Sequence, residues 1–264
     1  MDSRPIGVFD SGLGGLNVLK ELRKELPDEN FIYLGDTKRF PYGQKSAEAI
    51  IDISKQNVEF LISKNVKLVV IACGTATSQA LNTLSGLYEV PIVGIIEPTV
   101  LNLKNRIGDK KRIGVIATKG TIRSGAWEKK ILEYIPDSVV TNEEAPLLAT
   151  MAEEGWINNK VAEYTIKEYM KLFENIDKLI LGCTHYPLFR NLMQKELPDG
   201  VEIIDVGKEI AIFLKNEYSD IMSDNTDLGN YEIYLTDKDE NFAFIASSIL
   251  NDKIVLKDIK KFEI

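Results

Sequence analysis

Apolar residues along this chain gather into short runs with the length of buried strands, and between the runs they recur with the helical period. The runs cover 6–9, 31–35, 67–72, 91–95, 112–117, 179–181, 202–205, 231–235 and 254–256. Helices are predicted over 17–25, for about twenty residues after Gly43, over 75–87, through Leu101 and Leu103, over 158–173, after Asp205 to 215, and over 242–250. In the long helix after Gly43, the residues Ala47, Ile50, Ile51, Val58, Leu61 and Ile62 share one face, the stripe expected of a helix that covers a sheet. Glu97-Pro98 reads as a boundary, and 219–230, with Asp220, Asp224 and Asp227, as a polar surface loop. Strand and helix in alternation predict an α/β fold with mainly parallel sheets.

Two of the runs end alike. Lys67-Leu-Val-Val-Ile-Ala72 leads to Cys73-Gly74-Thr75, and Leu179-Ile-Leu181 leads to Gly182-Cys183-Thr184-His185. These are the chain's two cysteines and its one histidine, all at strand ends, where open α/β sheets present their sites. The likeness extends upstream, because Ile6-Gly7-Val8-Phe9-Asp10 matches Ile113-Gly114-Val115-Ile116-Ala117 and both open into Gly/Ser/Thr-rich loops. Gly7 and Cys73 are 66 residues apart, and Gly114 and Cys183 are 69 apart. Two half-chains of one layout, each with a strand-end thiol, point to an internal duplication about a pseudo-two-fold axis. The piece after the second half has no counterpart and is expected to return to the first half.

Composition narrows the class. With 264 residues, 44% hydrophobic and 27% charged, the chain can bury a real core. No apolar run approaches the roughly 18 residues of a spanning helix, and no signal-peptide core precedes the first strand, so a cytoplasmic protein is expected. Two cysteines make no disulfide scaffold. A net charge of −8 argues against a general nucleic-acid or anionic-membrane surface, while a nest of backbone N–H groups still suits a small carboxylate. The loop Asp10-Ser11-Gly12-Leu13-Gly14-Gly15 lacks the Gly-x-Gly-x-x-Gly spacing of a dinucleotide site. Taken alone, Asp10 reads as a loop cap, and Glu153-Glu154 as a solvated helix end.

Asp10-Ser11-Gly-Leu-Gly-Gly, Pro41-Tyr42-Gly43, Cys73-x-Thr75 and Gly182-Cys183-Thr184-His185-Tyr-Pro187 occur in this order. On these motifs, from Ile6 to the C-terminus, the chain closely resembles the glutamate racemases and, more broadly, the cofactor-independent aspartate/glutamate racemases. The resemblance implies two pseudo-symmetric α/β domains with the active site in the cleft between them, divided here as 1–96 with 209–264, and 97–208. It implies interconversion of L- and D-glutamate for peptidoglycan synthesis with no cofactor and no metal. Cys73 assisted by Asp10, and Cys183 assisted by His185 and Glu153, would be catalytic. Asp10, Ser11, Pro41, Tyr42, Gly43, Gly74, Thr75, Thr118, Thr121, Thr184 and His185 would hold the substrate. A homodimer is expected, and some members of the family also bind DNA gyrase.

The layout fits that chemistry. Racemising without a cofactor takes one acid/base group on each side of the α-carbon. The thiolate is the competent base, so a thiol with an ordinary pKa near 8.5 should be lowered, one cysteine at a time, and helix N-termini after both strands would help. Two departures from the family pattern stand out. Gly74 occupies the place of the usual Asn, and Ala145-Pro146-Leu147 that of Cys-Pro-Leu, which makes Glu154 a rival of Glu153 one register on. Other readings remain open. Aspartate racemase shares both thiols, and a glutamate- or protein-binding module needs neither. A metal site on Cys73, Cys183 and His185 would want more ligands, and a redox pair would want Cys-x-x-Cys.

Overall fold

The computed structural model describes residues 2–108, 111–223, 227–238 and 240–263. Among these residues ten strands form two parallel sheets: β1 (Ile6–Asp10), β2 (Phe31–Gly35), β3 (Leu68–Ile71), β4 (Ile92–Gly94), β5 (Arg112–Ala117), β6 (Val139–Glu144), β7 (Lys178–Leu181), β8 (Glu202–Asp205), β9 (Tyr231–Leu235) and β10 (Lys260–Lys261). The first sheet has the order β10-β9-β2-β1-β3-β4 and the second β6-β5-β7-β8. Within them β2-β1-β3-β4 and β6-β5-β7-β8 are the same arrangement. Gly7 of β1 lies opposite Val69, and the corresponding Gly114 of β5 lies opposite Leu179. The duplication seen in the sequence is thus a duplication of topology, and β9 returns to pair with β2.

β1, β2, β3 and β7 are buried along their whole length and mostly apolar because helices cover both faces of each sheet. Several boundaries differ from expectation for identifiable reasons. The first helix starts at Gly15, not Asn17, because the buried Asp10 carboxylate accepts the Gly15 N–H and satisfies one of the helix's orphan donors. The helix Ala47–Ser63 is capped by the Ser46 hydroxyl and buries Ile50, Val58 and Leu61, but Ala47 is exposed. Ser54 and Asn57 complete that face, Asn57 because it is hydrogen-bonded to Tyr42 and Arg39. Glu97-Pro98 lies inside the helix Ile96–Lys104, in the first turn, where proline has no intrahelical bond to lose.

Ile254 to Leu256 is not a strand. The Ser247 hydroxyl of the helix Glu240–Leu250 takes both the N–H and the C=O of Ile254, so this backbone is tied to a helix, and the last strand is Lys260–Lys261. The helix Ala126–Tyr134 and strand β6 were not anticipated. Only Trp127 and Ile131 anchor that helix, and β6 is an edge strand whose polar sequence (Thr141-Asn-Glu-Glu144) matches its partial exposure. Asp220 and Asp227 are exposed as expected of a surface loop, while Asp224 lies outside the described residues.

At the edge remote from the thiols, the buried Lys67 ammonium donates to Glu29 Oε1 (2.9 Å) and to the Asp2 carbonyl (2.6 Å). Lys67→Met leaves a buried carboxylate without its counter-charge. Urea unfolding should show a loss of about 3–5 kcal/mol. The site described next lies at the opposite end of the strands, so turnover by the folded fraction should be unchanged.

Candidate active site

The carboxyl ends of β1 and β3 face those of β5 and β7. β1 ends in Asp10, fully buried, whose Oδ2 accepts the N–H groups of Gly12 (3.2 Å) and Gly15 (3.0 Å) and so shapes the loop. β3 runs into Cys73, the N-cap of the helix Gly74–Leu84, with Sγ 3.9 Å from the Ser11 hydroxyl. β5 leads into Thr118, which caps the short helix Lys119–Arg123, and β7 leads into Gly182-Cys183-Thr184-His185.

Polar contacts fasten the two halves. Thr184 Oγ1 donates to Asp10 Oδ1 (3.1 Å), and Asn17 Nδ2 donates to the Thr184 carbonyl (2.9 Å). The hydroxyls of Thr75, Thr118 and Thr121 form a triangle with sides of 2.9, 3.2 and 2.8 Å. Glu153 Oε1 accepts the Leu13 N–H (2.8 Å) and stands 2.7 Å from His185 Nε2, while His185 Nδ1 stands 3.6 Å from Cys183 Sγ. Gly14 permits this approach, since a β-carbon there would lie 2.6 Å from both His185 Nδ1 and Thr184 Oγ1.

Ser11, Pro41, Tyr42, Gly43, Cys73, Gly74, Thr75, Thr118, Thr121, Cys183, Thr184 and His185 line one cavity. Asp10 and Glu153 stand behind it, holding Thr184 and His185. Glu154 is exposed, so the geometry selects Glu153. The cavity measures about 20 Å³, little more than the volume one water needs. An amino acid needs several times that volume, so the cavity has to widen before one is admitted.

The electrostatics differ between the thiols. Burial pushes the Cys73 thiol up to about 12, the Asp10 charge adds to this, and the Ala76 N–H at the helix start opposes them without prevailing. The expectation that a helix N-terminus would lower the thiol is thus corrected for Cys73. For Cys73 burial outweighs the helix, and β7 is followed only by the 3-10 turn Tyr186–Phe189, with the next helix starting at Arg190. Burial disfavours a charged His185, but the Cys183 sulfur and the Glu153 carboxylate outweigh it and hold the imidazolium well above the ordinary 6.5. Burial likewise raises the Asp10 carboxyl, against the pull of His185 and the loop N–H groups.

A raised thiol pKa means that the thiolate forms only as the pH climbs toward that value. Alkylation of Cys73 by iodoacetamide, followed by mass spectrometry, should therefore be slow at pH 8. It should rise about tenfold per pH unit well beyond pH 9, where an ordinary thiol has levelled off.

Residues 7–212 match the Asp/Glu/hydantoin racemase family. The chain belongs to that family. Among curated relatives, the racemase family is represented by the glutamate racemase of Geobacter metallireducens, 37% identical over 258 residues, covering 96% of this chain and 95% of the relative. Among solved structures, glutamate racemase isoform RacE1 from Bacillus anthracis is 34% identical with a TM-score of 0.92, covering 100% of this chain and 98% of that one. Glutamate racemase from Francisella tularensis subsp. tularensis SCHU S4, solved with D-glutamate, is 33% identical with a TM-score of 0.89 and the same coverage.

The racemase fold also places residues that sequence reasoning missed. Phe40, Ala149 and Gly182 line the cavity, and the Phe40 ring lies 5.6 Å from that of His185. Asp36, fully buried, binds the Tyr42 hydroxyl, Arg39 Nε (2.7 Å) and Thr236 Oγ1 (2.9 Å), and so positions the Pro41-Tyr42-Gly43 loop. Its signal was available, since Asp36 ends a buried strand just as Asp10 does. Trp127 packs beneath Gly182, where a β-carbon would lie 2.8 Å from Nε1, and nothing in the sequence marked that contact.

Proposed function

We propose that this protein interconverts L- and D-glutamate without a cofactor, using Cys73 and Cys183 as the two acid/base groups. The observation that supports this best is that thiols from corresponding strands of two matching sheets line a single cavity, with His185 against one of them. In each turnover one sulfur, as thiolate, takes the α-proton, and the other, as thiol, delivers its proton to the opposite face. The electron pair left on the α-carbon spreads into the carboxylate, which the start of the helix Gly74–Leu84 and the threonine hydroxyls are placed to receive. Protonated His185, steadied by Glu153, stands against Cys183 Sγ and orients it toward the cavity. Positioned groups of this kind typically contribute about 10² to 10⁴ in rate.

Glutamate, rather than aspartate, is favoured by the close relatives, which are glutamate racemases across nearly their whole length. The reading includes supply of D-glutamate for peptidoglycan in the cytoplasm, a homodimer, and domains of 1–96 with 209–264 and 97–208. The test is incubation with L-glutamate and with L-aspartate in D₂O. The α-proton signal and the optical rotation should disappear for glutamate and persist for aspartate. Persistence of both for glutamate would leave a binding module.

A further inference from the structure

The collapsed catalytic cavity has a much larger neighbour. A cavity of about 660 Å³, within the size range of small-molecule sites, shares Gly43 with it and is bounded by Lys45, Gln79, Lys119 and Arg123. The wall between the two is thin. Gly120 packs against the Gly43 carbonyl so closely that a β-carbon there would lie 3.0 Å away, and Gln79 Nε2 donates to the Gly120 carbonyl at 3.3 Å.

The chemistry of the lining is specific. In a chain of net charge −8, three cations meet at this one place. Arg123 is paired with Glu144 (2.8 Å), but Lys45 and Lys119 have no acidic partner among the described residues. Two unpaired ammonium groups at the mouth of the catalytic cavity suit two carboxylates.

We propose that this outer cavity is a docking site for the dicarboxylate substrate, held by Lys45 and Lys119 before the cleft opens to admit it. The proposal rests on the glutamate reading above and adds a second site to it. The closed cleft alternates with an open one, and the outer site keeps substrate at the seam between them. Cations lining a cleft raise the local concentration of an anion, and salt weakens the effect.

The test is the double variant Lys45→Glu/Lys119→Glu beside the wild-type protein, assayed with glutamate at low and high ionic strength and titrated with glutamate by calorimetry. The expected result is a KM for glutamate raised about tenfold at low salt with kcat nearly unchanged. Added salt should raise the wild-type KM and leave that of the variant almost flat. An unaltered KM and salt response, or a fall in kcat at constant KM, overturns the proposal. If the wild-type protein binds glutamate but does not racemise it, the functional reading fails on its own. The docking site is then decided by whether the variant binds glutamate more weakly, and equal binding by the two proteins overturns it.

Discussion

Cys73→Ala and Cys183→Ala are each expected to lower kcat/KM for glutamate by about 10³-fold or more, measured by loss of optical rotation. The reason is stereochemical. Inversion at one carbon takes a base on one face and an acid on the other, and neither thiol reaches both. Each variant therefore loses racemisation in both directions, although only one proton carrier has gone. Both cysteines are free, so no covalent link is lost, and the variants should keep the wild-type circular dichroism spectrum. Full activity in either variant would end the two-base assignment.

Gly74→Ala is expected to lower kcat by about 10²-fold while leaving the protein folded. An alanine β-carbon at this position would lie 2.2 Å from the Gly182 carbonyl oxygen. Neither partner can yield by turning a side chain, because both belong to the backbone beside a thiol. The two strand ends must move apart instead, by about 1 Å to reach ordinary contact, and a displacement of that size at a reacting centre costs about two orders of magnitude. The parted cleft should also let a bulky disulfide reagent reach the thiols faster than in wild type. Gly86→Ala, where nothing lies within 4 Å of the added carbon, is the control. Activity within a factor of about two of wild type in Gly74→Ala would show that the glycine contact does not set the working separation.

Much of this architecture was legible because strand burial and strand-end chemistry are local properties. Runs such as Leu68–Ile71 and 179–181 are apolar since both sheet faces are covered, and the residue after each run falls at the carboxyl edge whatever the rest of the chain does. The matched order of the sheets was legible for the same reason, as two copies of one spacing. The part that was not legible depends on contacts across the cleft. Glu153 and Glu154 are equivalent as sequence, and only the register of the helix Pro146–Glu153 brings the first to Leu13 and His185 and turns the second outward. The Cys73 thiol illustrates the same limit. A helix start promises a low pKa, and the burial that reverses the sign comes from residues of other loops and strands, Ser11 and Tyr42 among them. β6 escaped because an edge strand has fewer apolar neighbours to record in its sequence.

The shut cleft bears on survival as well as on turnover. Peroxides attack sulfur through its anionic form, and the first product, a sulfenic acid, leads on to states no cell readily reverses. A molecule at rest keeps Cys73 protonated and both sulfurs behind a wall of backbone and threonine. Oxidation is therefore expected chiefly while the cavity is widened, so an idle protein should outlast a busy one under peroxide.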